Sequence, residues 1–205
     1  MIKDLKICGI SDPKTLSYIL NHPFPPKFIG FITNYKKSKR YVAYENLKNL
    51  VNVNKKKTNF VSVLVNPTNK LLEKIKDLNF DYYQLYDVDP SRTVEIIEKY
   101  KIKIISAITV SNQKDVNKYK DYLKISDIIL FDSKGYHRSE SFDHNLLEHV
   151  PSEVNKMIAG NIQIDDIPNF KKKDFIIDLS GSIENNEGKK DIKKIDRLLK
   201  LFAKS

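Results

Sequence analysis

The sequence predicts an α/β protein, a single-domain (β/α)₈ or TIM barrel that takes up residues 1–205. Eight short apolar runs recur along the chain at intervals of roughly 20 to 30 residues, the period of a strand followed by a helix. Several runs are almost continuously apolar and β-branched, as parallel strands buried on both faces should be. The predicted strands are 5–8, 28–32, 60–65, 80–85, 102–108, 128–131, 156–159 and 175–179.

The segment after the first run carries the signals of a helix start. Asp12 can cap a helix with its side chain, and Pro13 follows at the position where a helix tolerates proline best. Leu16, Ile19 and Leu20 then form an apolar stripe at helical spacing. We therefore expect a helix that begins near residue 13.

Three later segments carry similar signals. Asp89 and Pro90 precede apolar residues at 94 and 97, and apolar stripes also occupy 71–78 and 191–203. The pattern is weakest after the sixth and seventh runs, so we expect short or irregular helices in those two crossovers.

An open doubly wound sheet is the competing fold. That fold usually has a glycine-rich first turn, but residues 8–12 here read Cys-Gly-Ile-Ser-Asp and contain no G-x-G-x-x-G motif. No internal linker or low-complexity block interrupts the strand–helix period. The barrel is therefore the better prediction.

Composition limits the classes of protein to which the chain can belong. Apolar residues make up 40% and charged residues 30%, which is typical of a soluble globular protein. The first six residues lack the apolar core of a signal peptide, and no stretch reaches the ~18 apolar residues that a membrane span needs. A single cysteine excludes an internal disulfide framework. We expect a cytoplasmic protein that does not associate with membranes.

The net charge of +10 has three possible explanations. It can reflect a nucleic-acid-binding surface, a lysine-rich composition, or a positive field that raises the encounter rate with anionic substrates. The basic residues are scattered in short groups, mostly in predicted loops and helix faces, which disfavours nucleic acid. The partner we expect is a phosphorylated small molecule.

Residues that follow the strands of a barrel converge on one face, where catalytic groups of this fold lie. Cys8 ends the first run, Asp132 ends the sixth, and Arg40 follows the second. Each has an ordinary alternative, since a lone cysteine is often buried, an aspartate often caps a helix and an arginine often lies in solvent. The four histidines have no metal-ligand spacing, so no metal site is predicted.

Two small-residue turns follow the seventh and eighth runs, where this barrel often binds phosphate through backbone N–H groups. The first turn contains Gly160 and Asn161, and the second contains Ser180, Gly181 and Ser182. Such glycines can also serve only to relieve a turn.

The ordered motifs resemble those of the phosphoribosylanthranilate isomerase family of tryptophan biosynthesis. The matching segments are Lys-Ile-Cys-Gly-Ile at 6–10, Ser-Lys-Arg-Tyr-Val at 38–42, Val-Leu-Val-Asn at 63–66, Gln-Leu at 84–85, Leu-Phe-Asp at 130–132, Phe-Asp at 142–143, Ile-Ala-Gly at 158–160 and Asp-Leu-Ser at 178–180, with Glu184 and 188–191 beyond them. Together they cover residues 6–191 in family order.

The resemblance implies a cofactor-free Amadori rearrangement of N-(5-phosphoribosyl)anthranilate. It assigns Asp132 as the general acid at the furanose ring oxygen and Cys8 as the general base at C2. Such an acid needs a raised pKa and such a thiol a lowered one. The resemblance also implies that Arg40 binds the anthranilate carboxylate, that Gln84 contacts substrate, and that the turns at 160–161 and 180–182 bind phosphate. A monomer or homodimer is expected.

The chain departs from the family pattern in several places. The glycine-rich stretch after the catalytic aspartate is shortened to 133–141, and the usual Leu-His-Gly after Gln84 reads Leu-Tyr-Asp. Asn161 replaces the second glycine of the seventh-strand turn, and Lys39 replaces a proline. Two alternatives therefore stay open: a related barrel enzyme acting on another phosphorylated sugar, and a non-catalytic basic binding protein.

Overall fold

In the computed structural model of the protein, the described residues are 2–133, 142–170 and 173–204. Their eight strands form one closed barrel in which each strand pairs in parallel with the next and β8 pairs with β1. The strands are β1 Asp4–Cys8, β2 Phe28–Ile32, β3 Asn59–Val65, β4 Tyr82–Tyr86, β5 Lys103–Val110, β6 Ile128–Ser133, β7 Lys156–Ile158 and β8 Phe175–Leu179. The predicted (β/α)₈ barrel is confirmed.

Six α-helices lie on the outside of the barrel within the described ranges. They are α1 Pro13–Asn21, α2 Tyr44–Val51, α3 Asn69–Ile75, α4 Pro90–Tyr100, α5 Gln113–Asn117 and α6 Ile192–Ala203. In the described parts of the crossovers after β6 and β7, only the 3₁₀ segments His144–Leu147 and Ile164–Phe170 occur. The expectation of irregular structure in both crossovers is confirmed.

Local capping sets the starts of α1 and α4. The Asp12 carboxylate accepts a hydrogen bond from the Thr15 N–H at 2.8 Å, with Pro13 in the first helical turn. Asp89 accepts from the Arg92 N–H at 2.9 Å in the same arrangement. Each cap satisfies a backbone donor that the first turn of a helix leaves without an intrahelical partner.

The sheet is buried on both faces, which explains the continuous apolar runs. One layer of side chains fills the barrel interior and includes Phe28, Val61 and Met157. A larger layer, which includes Ile29 and Phe131, packs between the strands and the surrounding helices. The interior of the barrel is therefore a packed core.

The fourth strand starts later than the sequence predicts. The predicted strand is 80–85, whereas β4 is Tyr82–Tyr86. The Phe80 N–H bonds to the carbonyl of Leu78 at 2.7 Å, so this residue still belongs to the turn after α3. One consequence is that β4 ends on Tyr86, at the functional end of the barrel.

In the described part of the chain, no helix has the length and apolar character to cross a membrane.

Candidate active site

A cavity of about 920 Å³ opens at the carboxyl ends of the barrel strands. The end of each parallel strand brings its last inward residue to this rim. Most of the predicted site residues line the cavity: Cys8, Arg40, Asp132, Gly160, Asn161, Ser180, Gly181 and Ser182. Gln84 does not line it. The structure therefore brings the predicted acid, base, cation and both turns around one space.

Cys8 lies at the end of β1 with little exposure. In the β1–β2 register its partner is Gly30, where an added Cβ would come within 2.8 Å of the Cys8 sulfur. Only glycine at this point of β2 leaves room for the thiol without displacing it. The cysteine thus belongs to the buried layer inside the barrel and also borders the cavity.

An ion pair lies next to this thiol inside the barrel. Lys6, two residues earlier on β1, is fully buried and its Nζ lies 2.5 Å from Oδ2 of Asp178 on β8. Burial opposes the charge on Lys6, but Asp178 and Cys8 outweigh it and raise the pKa of the amine. A charged ammonium is therefore held close to the Cys8 sulfur.

The pKa of Cys8 is raised, not lowered as the proposed role of the thiol leads one to expect. Burial is the main cause, because a thiolate loses its hydration inside the barrel. The ammonium groups of Lys6 and Lys190 act in the opposite direction without cancelling that effect. The thiol form of Cys8 therefore predominates at neutral pH.

Asp132 lies on β6 with its carboxyl group at the cavity. Its Oδ1 accepts from the Ser133 N–H at 2.8 Å, and its Oδ2 accepts from the Tyr86 hydroxyl at 2.6 Å. Burial raises its pKa to about 6, although both hydrogen bonds act to lower it. Its raised pKa is of the kind expected of a general acid.

Gln84 lies beneath the site. It is 1% exposed on β4 and its Nε2 donates to the Tyr86 hydroxyl at 3.2 Å. Tyr86, two residues nearer the end of the same strand, lines the cavity and Gln84 does not, so a contact between Gln84 and substrate stays a prediction. Residues two apart on a strand share one face, which explains their contact.

Arg40 is held by a carboxylate of the protein. Its Nε and Nη2 donate to the two oxygens of Glu184 at 2.5 and 2.9 Å, and Lys190 donates to Glu184 at 2.9 Å. This bidentate pairing fixes the plane of the guanidinium and uses two of its five N–H donors. The rest of the side chain packs over Gly9, where an added Cβ would meet Arg40 Cδ at 2.4 Å.

The turn after β7 has left-handed backbone geometry at two successive residues. Gly160 and Asn161 have φ values of +96° and +51°. Left-handed geometry is least costly for glycine and is better tolerated by asparagine than by most other residues. A Cβ at Gly160 would also lie 2.5 Å from the Ser133 hydroxyl. Both residues line the cavity.

Sequence reasoning gave no role to five residues that shape the site. These are Lys6, Tyr86, Asp178, Glu184 and Lys190. A signal existed for two of them, because Lys6 and Asp178 are charges inside otherwise apolar strand runs. A charge in a strand buried on both faces needs a partner on a neighbouring strand.

The sequence predicts no metal site and a shortened loop after Asp132. Within the described ranges, no group of three or more His, Cys, Asp or Glu side chains is arranged to hold a metal ion. The shortened loop lies at 133–141, of which only Ser133 belongs to the described residues.

Sequence comparison identifies relatives along the whole chain. The family described as N-(5'-phosphoribosyl)anthranilate (PRA) isomerase matches residues 5–201. The N-(5'-phosphoribosyl)anthranilate isomerase of Rhizobium rhizogenes is 31% identical over 216 residues, which cover 100% of this chain and 96% of the relative. That of Agrobacterium fabrum is 30% identical over 207 residues, with 96% and 93% covered.

Solved structures of the same type match the fold closely. The phosphoribosyl anthranilate isomerase of Thermotoga maritima superposes with a TM-score of 0.83 at 25% identity, with 100% of both chains covered. A phosphoribosyl anthranilate isomerase in complex with reduced 1-(o-carboxyphenylamino)-1-deoxyribulose 5-phosphate gives 0.82 at 25% identity, with 98% and 97% covered. Family, fold and cavity agree, and the chain belongs to the N-(5'-phosphoribosyl)anthranilate isomerase family.

Proposed function

We propose that this protein catalyses the Amadori rearrangement of N-(5'-phosphoribosyl)anthranilate to 1-(2-carboxyphenylamino)-1-deoxyribulose 5-phosphate, a step of tryptophan biosynthesis. The observation that carries the proposal is the joint lining of one cavity by Cys8, Asp132 and Arg40. A binding module has no need of a thiol, a carboxyl group and a guanidinium around a single space. Membership of the isomerase family supports the same reaction.

Asp132 acts first, as the general acid. It donates its proton to the furanose ring oxygen while the C1–O bond breaks and the nitrogen lone pair forms a C1=N iminium. A carboxyl group with a pKa of about 6 still holds its proton in part of the molecules near neutral pH and is a strong enough acid to give it up. The step leaves Asp132 as a carboxylate and the sugar as an open chain.

Cys8 acts second, as the general base. Its thiolate removes the proton on C2, and the C–H electron pair forms the C1=C2 bond while the iminium electrons return to nitrogen. The iminium cation acidifies C2 and favours the thiolate, as does the ammonium of Lys6 nearby. The resulting enolamine tautomerises to the 2-keto product.

The remaining residues bind the two anionic ends of the substrate. The N–H donors of Arg40 that Glu184 does not use are suited to the anthranilate carboxylate, because a planar guanidinium matches a carboxylate. The turns at 160–161 and 180–182 line the same cavity and supply backbone N–H groups for the phosphate. The positive net charge of the chain favours encounter with such an anion.

The reaction balances within the substrate. C1 is reduced and C2 is oxidised in the same molecule, so the enzyme is an aldose–ketose isomerase, an intramolecular oxidoreductase, that needs no cofactor. We expect it to act in the cytoplasm on this small phosphorylated molecule, as a monomer or homodimer, without a nucleic acid or membrane partner.

Turnover by the purified protein tests the proposal. N-(5'-phosphoribosyl)anthranilate generated in the assay should disappear, which is followed as loss of anthranilate-type fluorescence. Cys8→Ala and Asp132→Ala should each lower kcat by about 10²–10⁴-fold, the usual contribution of one positioned proton transfer. Full activity in both variants would refute the assigned roles.

Complementation separates this function from its main alternative. Expression of the chain should restore growth of a tryptophan auxotroph that lacks the isomerase, and expression of Asp132→Ala should not. Failure of the unmodified chain, in cells that contain the folded protein, would favour a barrel enzyme for another phosphorylated sugar.

A further inference from the structure

A buried hydrogen-bonded chain leads from β4 to the carboxyl group of Asp132. Gln84 Nε2 donates to the Tyr86 hydroxyl at 3.2 Å, and that hydroxyl donates to Asp132 Oδ2 at 2.6 Å. Gln84 and Tyr86 are 1% and 8% exposed, so water does not easily replace either contact. We infer that Tyr86, oriented by Gln84, is a positioning residue that fixes the carboxyl group of Asp132 for proton donation. This inference rests on the proposed role of Asp132 as general acid.

The direction of the hydrogen bonds follows from the donors available. The Gln84 Nε2 group can only donate, so the Tyr86 oxygen accepts this hydrogen bond. A tyrosine hydroxyl has one proton of its own. The proton of Tyr86 is therefore available for Asp132. Burial and the neighbouring Asp132 raise the pKa of Tyr86 well above its ordinary value, so the hydroxyl stays a donor.

The two donors to Asp132 reach it from different elements. The Ser133 N–H, on the same strand β6, binds Oδ1, and Tyr86, on β4, binds Oδ2. A carboxyl group held at both oxygens has a fixed plane, which a catalytic group needs. The Ser133 contact survives any side-chain change, so Tyr86 is the contact that substitution can remove.

Three charged or titratable groups among the described residues act on the Asp132 carboxyl group. Tyr86 on β4 lowers its pKa through the hydrogen bond, Asp178 on β8 raises it, and Lys6 on β1 lowers it. Removing the Tyr86 hydroxyl takes away one contact that stabilises the carboxylate and leaves the Ser133 N–H, Asp178 and Lys6 in place. The pKa of Asp132 should therefore rise.

Titration of Asp132 tests the inference without relying on turnover. In ¹³C-labelled protein the Asp132 carboxyl resonance, assigned by its loss in Asp132→Asn, should titrate at higher pH in Tyr86→Phe than in the unmodified chain. Gln84→Met, which removes the donor to Tyr86, should shift the titration in the same direction by less. The acidic limb of the kcat/KM profile should move with the resonance.

Tyr82→Phe is the matched control. Tyr82 lies on the same strand and face, but at the other end of the barrel, where its ring packs against Phe28 at a centroid distance of 5.5 Å. This variant should leave the Asp132 titration unchanged.

An unchanged Asp132 titration in folded Tyr86→Phe would overturn the inference, as would an equal shift in Tyr82→Phe. If Tyr86→Phe does not fold, an unchanged titration in Gln84→Met would overturn it. Failure of the proposed function is a separate result, since it would appear as an unmodified chain without turnover or as an active Asp132→Asn.

Discussion

Lys6 and Asp178 form an ion pair inside the barrel, with 2.5 Å between Nζ and Oδ2 and almost no exposure of either side chain. Lys6 lies two residues before Cys8 on β1, and Asp178 borders the cavity on β8. Only Oδ2 of Asp178 is used by Lys6, and among the described residues Oδ1 has no hydrogen-bond partner. The pair therefore links a fully buried lysine inside the barrel to a residue that lines the cavity.

Removing one partner of this pair should destabilise the protein. Lys6→Met leaves the Asp178 carboxylate buried and unpaired, which typically costs about 3–5 kcal/mol in the free energy of unfolding. Lys6→Met combined with Asp178→Leu should recover most of that loss, because neither charge remains. Urea unfolding at pH 7 measures the free energy of unfolding of the single and the double variant. Equal stability of the single variant and the unmodified chain would show that the pair carries no such cost.

The pH dependence of kcat/KM follows from two coupled groups. In the active form, Asp132 holds the one proton that the two groups share, and Cys8 is the thiolate. In the form that dominates near pH 7, the same proton is on Cys8 and Asp132 is a carboxylate. Both forms appear and disappear together as pH changes. We therefore expect kcat/KM to rise as pH rises through about 6 and to fall only above the ordinary pKa range of a thiol. Initial rates measured across this range would contradict the prediction if they fell steadily from about pH 5 upward.

Arg40 should act mainly on substrate binding. Arg40→Lys removes the planar fork and Arg40→Ala removes the charge as well, so KM should rise in both and more in the second, by roughly 10-fold or more for a lost charge-assisted hydrogen bond. Glu184→Gln keeps Arg40 but weakens its bidentate support, and should raise KM by less. Steady-state kinetics with each variant checks the order. A change confined to kcat would instead place Arg40 at the proton transfers.

Gly160→Ala should damage both stability and phosphate binding. At φ +96° any side chain is strained, and the new Cβ would lie 2.6 Å from the Ser133 Cβ and 3.0 Å from its backbone nitrogen. Gly188→Ala is the control, because Gly188 also has a positive φ of +74° but its Cβ would meet only the flexible Lys39 side chain at 3.6 Å. Both substitutions should lower the free energy of unfolding by about 1–2 kcal/mol, because alanine is strained in a left-handed backbone. Gly160→Ala should lower the free energy of unfolding by more than Gly188→Ala and should also raise KM. Chemical unfolding measures the first effect and steady-state kinetics the second.

Periodicity was enough to predict the fold because a barrel of parallel strands has a regular sequence pattern. Runs such as 28–32 and 175–179 coincide with β2 and β8, since strands buried on both faces are apolar throughout. The caps at Asp12 and Asp89 are equally local, because a capping side chain binds a backbone group only three residues away. The start of β4 was predicted less accurately, because an apolar run does not reveal the turn-forming hydrogen bond at Phe80.

The barrel, the helix starts, and the placement of Cys8, Asp132, Arg40 and the two turns at one end of it follow from the amino-acid pattern alone, because strand order dictates which residues reach that end. The hydrogen-bond and ion-pair partners of these groups became known from the folded arrangement. Tyr86 on Asp132, Glu184 on Arg40 and the Lys6–Asp178 pair beside Cys8 join residues 46 to 172 positions apart. Side-chain contacts across a barrel depend on strand register and burial, and those quantities also set the raised pKa values of Cys8 and Asp132.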